Sequence, residues 1–474
     1  MIGIDKSLLT LEKLLEATDG VHVLGPSSIT FTSVTTDSRS VEKDSLFVPL
    51  IGENQDGHKY IPQAIEKGAG VIFIAKKNFE DDSNFFVQLH HDNPGVTFIA
   101  VDNTMTALQK AAGAYVEKFP HLIKIAITGS SGKTTTKEIL VSIMKQKYNV
   151  ICNKGNLNSE TGLPLSVFNI RPEHECGIFE MGMNRQNEIG EISAVLKANF
   201  AIITNIGTAH IGILGSRENI AKEKAKVFDH FHNFGTGVIP YDDDFVDFLK
   251  DQIEGKVVLY GKDTETVKYA ADLGLGGTSF TVGGIKAVLS IPGKYNYKNA
   301  LGAIALAEVL GLSSGEIAKG INELKPMFGR SQVLEGKYTI VQDCYNANPH
   351  SMEKSIEFVS SVNDGRKKVF VLGDMLELGQ NSAREHEKAG ELAANSSADV
   401  LIFAGDEMKA AFEKIKDSAA GKEVFYFNGK SDDTMKAITE KIKSAVPEKS
   451  IVLIKGSRGM GLERITEILE GGSK

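Results

Sequence analysis

The sequence predicts an α/β protein of three domains, and three observations carry that prediction. The 474-residue chain is longer than one hydrophobic core supports, since single cores stop growing at roughly 250–300 residues. Its middle part holds the near-continuous apolar runs IKIAITG, CGIFEMG, FAIITNIG and TGVIPYD, each ending in small or polar residues and separated by helical stretches. Strands covered on both faces of a parallel sheet have this pattern. The pattern returns in the last part as KKVFVLGDM, DVLIFAGDE and SIVLIKGSRG, each running into Gly and then charged or hydroxyl residues.

Taken in order, Leu8, Leu9, Leu11, Leu14 and Leu15 read as one face of a short helix. SLFVPL and AGVIFIA read as strands, with KYIPQAIEKGAG between them as a helix ending at Gly. A new helix starts at TALQKAAGAYVEKF, and LKPMFGRSQVLEGKY, with its Pro and Gly residues, reads as a hinge. The expected domains are residues 1–105, 106–324 and 325–474.

Composition bounds the function. Hydrophobic content of 42% with 24% charged residues is ordinary for a soluble protein, and a net charge of −8 argues against a partner bound by phosphate neutralisation, such as nucleic acid. Cys152, Cys176 and Cys344 are too few and too scattered for a disulfide framework, which fits a reducing cytoplasm. The first residues lack a basic start followed by an apolar run, and no apolar stretch approaches the roughly 18 residues of a membrane span. A soluble, cytoplasmic protein is expected.

The stretch AITGSSGKTTTKEIL is the most informative. A phosphate-binding loop normally places four residues between its first Gly and the Gly-Lys pair, whereas here only Ser130 and Ser131 separate Gly129 from Gly132. The context is nevertheless right, with a strand entering and a helix leaving. Backbone N–H groups at a helix start face an anion, and the helix dipole adds to the attraction. Lys133 would meet the β- and γ-phosphates, and the Thr134 hydroxyl would reach Mg²⁺.

Other strand ends carry weaker signals. Glu180 closes an apolar strand, where a carboxylate either holds a metal ion beside a phosphate loop or caps the next turn. His210 follows another strand end and is a metal ligand or a structural histidine. Lys222, Lys224 and Lys226 read as a solvated basic face, and Asn296 and Asn299 as helix caps or nucleotide contacts. Asp343, Tyr345, Asn346 and Asn348 crowd one strand end, and Lys455, Ser457 and Arg458 follow another, a good setting for a carboxylate. Each could be a turn; together with the loop they suggest a cleft between domains.

These residues resemble the Mur ligases of bacterial cell-wall synthesis over nearly the whole chain. The landmarks are TTDSRSVEKDSLFVPLIGENQDGHKYI, TGSSGKTTTK, GNLNSETGLPLS, EMGMNRQNEIGEI, TNIGTAHI, CYNANPHSM, VLGDMLELG and IKGSRGMGLERI. The short loop is normal for that family. The resemblance implies a first domain binding a UDP-sugar, a central phosphate-loop ATPase domain and a Rossmann-like last domain. It implies ATP and two Mg²⁺ ions, with UDP-N-acetylmuramoyl-tripeptide and D-alanyl-D-alanine as substrates of a monomeric, ADP-forming amide ligase. Ser38, Arg39, Asp56, Gly57 and His58 would hold the UDP-substrate. Gly129, Ser130, Ser131, Gly132, Lys133, Thr134, Thr135, Asn296, Asn299, Arg330 and Asp343 would bind ATP. Thr134, Glu180 and His210 would ligate metal, and a carbamoylated Lys224 would join them; Lys133, Glu180, His210 and Lys224 are the implied catalytic set. Tyr345, Asn346, Asn348, Lys455, Ser457 and Arg458 would receive the dipeptide. Tyr295 departs from the family, which usually has His there. The rival expectations are a sister ligase adding a single amino acid and a nucleotide-binding protein without turnover.

Overall fold

The apolar runs become strands because their β-branched residues suit a pleated surface covered on both faces. In the computed structural model, which describes residues 7–419 and 421–471, these strands form four sheets. The first has the order Val21–Leu24, Thr97–Val101, Ala69–Ala75, Ser45–Phe47, Ser33–Thr35. Its first pairing is antiparallel and the rest are parallel. Thr10 caps the helix Leu11–Thr18 by accepting from Lys13 N, so Leu8 and Leu9 precede the helix instead of sharing its face; both are buried all the same.

The helix Thr104–Val116, capped by Asn103, ties this domain to the next. Its Leu108, Ala111 and Tyr115 share one apolar cluster with Leu14 and Ile99 on one side and Ile192 and Leu196 on the other. Residue 105, the expected boundary, lies in its first turn.

The second sheet is all parallel, in the order Gly255–Tyr260, Gly235–Pro240, Phe200–Ile203, Ile123–Thr128, Cys176–Glu180, Val150–Cys152. The strand Ile123–Thr128 is flanked by Cys176–Glu180 and Phe200–Ile203. The loops leaving these three carboxyl ends therefore meet, as ligand sites of parallel sheets require. The helices Lys133–Met144 and Lys294–Val309 pack together on one face of this sheet.

A third, antiparallel sheet of Val267–Asp272, Thr278–Val282 and Ile285–Leu289 was not expected from the apolar runs. Its tight hairpin pairs Val282 with Ile285 across Gly283 (φ 55°) and Gly284 (φ 82°), a two-residue turn that needs positive φ at both positions.

The last sheet runs Gln332–Glu335, Thr339–Asp343, Ile451–Lys455, Lys368–Gly373, Val400–Ala404, Glu423–Phe427, antiparallel only at its first pairing. The second half of the expected hinge is thus an edge strand. Asp343 and Lys455 are paired at neighbouring strand ends. No helix among the described residues is long and apolar enough to cross a membrane.

Candidate active site

The short loop is shaped by its neighbours. Gly129 sits at φ 149°, and a Cβ there would lie 1.8 Å from Thr204 Oγ1; Gly132 sits at φ 79°, and its Cβ would lie 2.5 Å from Asn299 Oδ1. Only glycine fits either place. Ser130 N donates to Asn205 O at 3.0 Å, Ser131 N to Asn205 Oδ1 at 3.1 Å, and Gly207 N to Ser130 Oγ at 2.8 Å. Thr204 Oγ1 donates to Ser131 O. The helix Lys133–Met144 then starts at Gly132 with no side chain capping it, leaving its first N–H groups for an anion.

Two charged side chains meet at Thr134. Its hydroxyl donates to Glu180 Oε2 at 2.7 Å and accepts from Arg330 Nη2 at 2.9 Å. Lys133 arches back so that Nζ donates to Gly129 O at 2.9 Å, and burial pushes its pKa down while Glu180 opposes that. Thr135 is buried one residue further along the helix.

Glu180 is 3% exposed at its strand end. Asn158 Nδ2 donates to its Oε1 at 2.7 Å, and Asn153 exchanges hydrogen bonds of 2.9 Å with its main chain. The carboxylate faces the loop, so it does not cap the next turn. Sequence reasoning missed both asparagines, although Asn158 lies within GNLNSETG and Asn153 two residues before it.

His210 occupies φ 63° just before the short helix Ile211–Leu214. Its buried Nδ1 lies 3.2 Å from Glu377 Oε2 of the last domain but makes no aligned hydrogen bond. Glu377, another residue the sequence did not single out, also sits at positive φ, 69°.

The structure overturns the solvated basic face. Lys222 is exposed, and Lys226 pairs with Glu223 at 2.8 Å, but Lys224 is 1% exposed. Its neighbour Glu223 is spent on Asn187 N and Ile189 N, at 2.9 Å each. The Lys224 amine has no hydrogen-bond or ion-pair partner among the described residues. Burial, followed by the charge of Lys133, drives its pKa well below the usual lysine value.

Asn296 and Asn299 are not caps either, because Gly293 begins their helix. Asn296 Nδ2 turns back to Pro292 O at 2.7 Å, and Asn299 backs onto Gly132.

The last domain reaches the loop directly. Asn348 caps the helix Pro349–Ser361 through Ser351 N at 2.9 Å and reaches Ser130 O at 3.4 Å; His350 Nδ1 lies 3.2 Å from Ser131 Oγ. The Arg330 guanidinium stacks 4.2 Å over the Tyr345 ring. Behind them Asp343 accepts from Ser331 N at 3.1 Å, Ser355 Oγ at 2.6 Å and Lys455 Nζ at 2.9 Å. Lys455 also donates to Asn346 O at 2.8 Å. Ser457 Oγ accepts from Leu376 N at 3.0 Å, while Arg458 pairs with Glu463 at 2.6 Å. A cavity of about 470 Å³ opens beside the loop between the middle and last domains, with Asn205, Gly207, Asp242, Lys298, His350 and Glu353 in its wall.

The first-domain candidates form a separate group whose polar partners lie within that domain. Ser38 Oγ donates to Gln63 Oε1 at 2.6 Å, and Arg39 forks onto Asp37 at 2.8–2.9 Å, holding its carboxyl at about 2. His58 accepts from Ala75 N at 2.9 Å through Nε2, so its Nδ1 carries the proton donated to Asp56 Oδ1 at 2.6 Å. Between them Gly57 leaves no room for a side chain, since its Cβ would stand 2.7 Å from Leu50 O.

Three family models match in chain order: the Mur ligase family catalytic domain at residues 30–116, the Mur ligase middle domain at 127–307 and the Mur ligase glutamate ligase domain at 329–458. The chain is similar to the UDP-N-acetylmuramoyl-tripeptide--D-alanyl-D-alanine ligase of Treponema pallidum, 40% identical over 426 residues that cover 89% of this chain and 90% of that one. It is also similar to a crystal structure of MurF from Acinetobacter baumannii, with a TM-score of 0.84, 28% identity and 98% of each chain covered. The MurF ligase from Thermotoga maritima in complex with ADP superposes with a TM-score of 0.76 at 27% identity, covering 93% of this chain and 97% of that one.

Proposed function

Because this chain belongs to the Mur ligase family, we propose that it joins D-alanyl-D-alanine to UDP-N-acetylmuramoyl-tripeptide at the expense of ATP, releasing ADP and phosphate. The observation that carries the chemistry is the row Arg330–Thr134–Glu180, in which a last-domain approach, the phosphate loop and a strand-end carboxylate meet within hydrogen-bond distance. The substrates follow from the similarity to the T. pallidum enzyme. The domains are residues 1–105, 106–324 and 325–474.

The roles follow from the positions. The uncapped N–H groups of residues 132–134 and the Lys133 amine take the ATP phosphates, with Arg330 adding a second positive charge from the last domain. Asn296, Asn299 and Asp343 flank the nucleotide. Thr134 and Glu180 offer a pair of oxygens 2.7 Å apart, which suits Mg²⁺, and His210 Nδ1, which makes no aligned hydrogen bond, extends the donor set. The unpartnered, readily neutral Lys224 amine suits CO₂ addition, and its carbamate would serve a second ion. When bound, the ions neutralise charge on the transferred phosphoryl group.

The terminal carboxylate of the tripeptide attacks the γ-phosphorus, and the bond to ADP breaks, giving an acyl phosphate. The amine of D-alanyl-D-alanine then attacks that carbonyl and phosphate leaves. Ser38, Arg39, Asp56, Gly57 and His58 hold the UDP end, while Tyr345, Asn346, Asn348, Lys455, Ser457 and Arg458 form the face that receives the dipeptide. Closure of the last domain onto the loop keeps water from the acyl phosphate.

The test is phosphate release by purified protein with Mg²⁺, ATP and UDP-N-acetylmuramoyl-tripeptide, with and without D-alanyl-D-alanine, the product followed by mass spectrometry. Release that requires both substrates and yields a UDP-pentapeptide supports the reading. Release with single amino acids and not the dipeptide reassigns the protein to a sister ligase.

A further inference from the structure

Tyr295 belongs to the middle domain, in the first turn of Lys294–Val309, yet its ring packs against the apolar cluster of the last domain. Its hydroxyl shares a hydrogen bond of 2.7 Å with Ser331 Oγ. Ser331 is the residue after Arg330, is 4% exposed, and sits at φ 50°, a left-handed conformation uncommon for a side-chain-bearing residue. Gly329, on the other side of Arg330, is also left-handed at φ 65°, and its carbonyl accepts from Tyr345 N at 3.1 Å. Arg330 is therefore bracketed by two left-handed residues, and its guanidinium ends on Thr134 of the phosphate loop.

Such a backbone persists only where its surroundings over-determine it. Two groups hold Ser331: Asp343 takes its N–H, and Tyr295 takes its hydroxyl. The Asp343 contact comes from within the last domain. Of the two, it is the Tyr295 contact that crosses from the helix that carries Asn296 and Asn299 to the segment that carries Arg330. Burial raises the Tyr295 phenol, and the charge of Asp343 adds to this, so the hydroxyl keeps its proton throughout the working pH range.

We propose that Tyr295 is a positioning residue of this ligase: through Ser331 it holds the interdomain segment in the left-handed turn that aims Arg330 at the phosphate loop, so that docking of the last domain and nucleotide binding are coupled. The inference rests on the ligase reading given above. It assigns a task to a residue that reaches the nucleotide site only through another.

The test uses the full-length enzyme and the phosphate-release assay. Y295F removes one oxygen and keeps the ring packed. Loss of one hydrogen bond of this kind corresponds to a fall in kcat/KM for ATP of about five- to tenfold. The unfolding midpoint should move little, because the ring stays in the apolar cluster. R330A lowers the same parameter further, and the decisive arm is the double variant. If Tyr295 acts by aiming Arg330, Y295F has no additional effect in the R330A background; independent effects would multiply. S331A should reproduce Y295F, with the pair again non-multiplicative. The inference is overturned if Y295F is as active as the unaltered enzyme, or if its loss is the same with and without Arg330. If the unaltered enzyme releases no phosphate under any substrate combination, the ligase reading itself fails. In that event the inference falls with it.

Discussion

Replacing Lys224 by Met should make the protein more stable while abolishing turnover. Lys224 is 1% exposed and its amine has no partner among the described residues, whereas the thioether of Met fills nearly the same volume without a group that needs one. A buried polar group left unpaired costs about 1–3 kcal/mol. K224M should recover that amount, which for a domain of this size raises Tm by roughly 2–4 °C per kcal/mol. The pH dependence has a definite sign. The pKa of Lys224 is lowered in the folded state, so between that value and 10.5 the unfolded chain binds more protons and stability rises with pH. The advantage of K224M is therefore greatest at low and neutral pH and shrinks as pH rises toward 10.5. The assay is denaturant unfolding of both proteins in CO₂-depleted buffer at several pH values, then with added bicarbonate. Bicarbonate should raise the midpoint of the unaltered protein alone, accompanied in native mass spectrometry by one added CO₂. A K224M midpoint at or below that of the unaltered protein would refute the reasoning, since the amine would then be satisfied where it lies. Retained turnover in K224M would remove Lys224 from the mechanism.

Three further outcomes are expected. G129A places a methyl carbon against Thr204 Oγ1 at 1.8 Å and at φ 149°, so nucleotide binding measured by calorimetry should be lost while far-UV circular dichroism stays that of the folded sheet. E180Q keeps the size of the side chain and a partner for Asn158 but removes the charge. Stability should change by less than about 1 kcal/mol while kcat drops on the order of a hundredfold or more and Mg²⁺ titration no longer restores it. H58A breaks the contacts to Ala75 N and Asp56, so it should destabilise the first domain by about 1–3 kcal/mol and raise KM for the UDP-substrate with KM for ATP unchanged. Equal rises in both KM values would show that the first domain does not act separately.

The apolar strands of the parallel sheets, the phosphate loop and the family were legible in the chain alone. These are local signals: apolar runs of strand length, a Gly-Ser-Ser-Gly-Lys-Thr string at a strand–helix junction, and strings such as CYNANPHSM. The hairpin at Gly283–Gly284 was equally local, but its Gly pair stood in strands too polar to register as apolar runs. Tertiary structure alone decided what each polar residue faces. Lys222, Lys224 and Lys226 look alike in a row of charges, and only packing within the middle domain buries Lys224 while Lys222 stays exposed and Lys226 pairs with Glu223. Asn296 and Asn299 read as caps or nucleotide contacts at a helix start, but the helix begins after Gly293, three residues before Asn296. Asn153, Asn158, Asn205, His350 and Glu377 went unnoticed because their partners lie between 22 and 219 residues away, or across a domain interface. A hydrogen bond needs two groups within about 3 Å, and a sequence shows one of them at a time. The loop shows this most plainly. Its glycines are visible in the chain, yet the reason for them is Thr204 and Asn299, which only the folded sheet and helix bring against it.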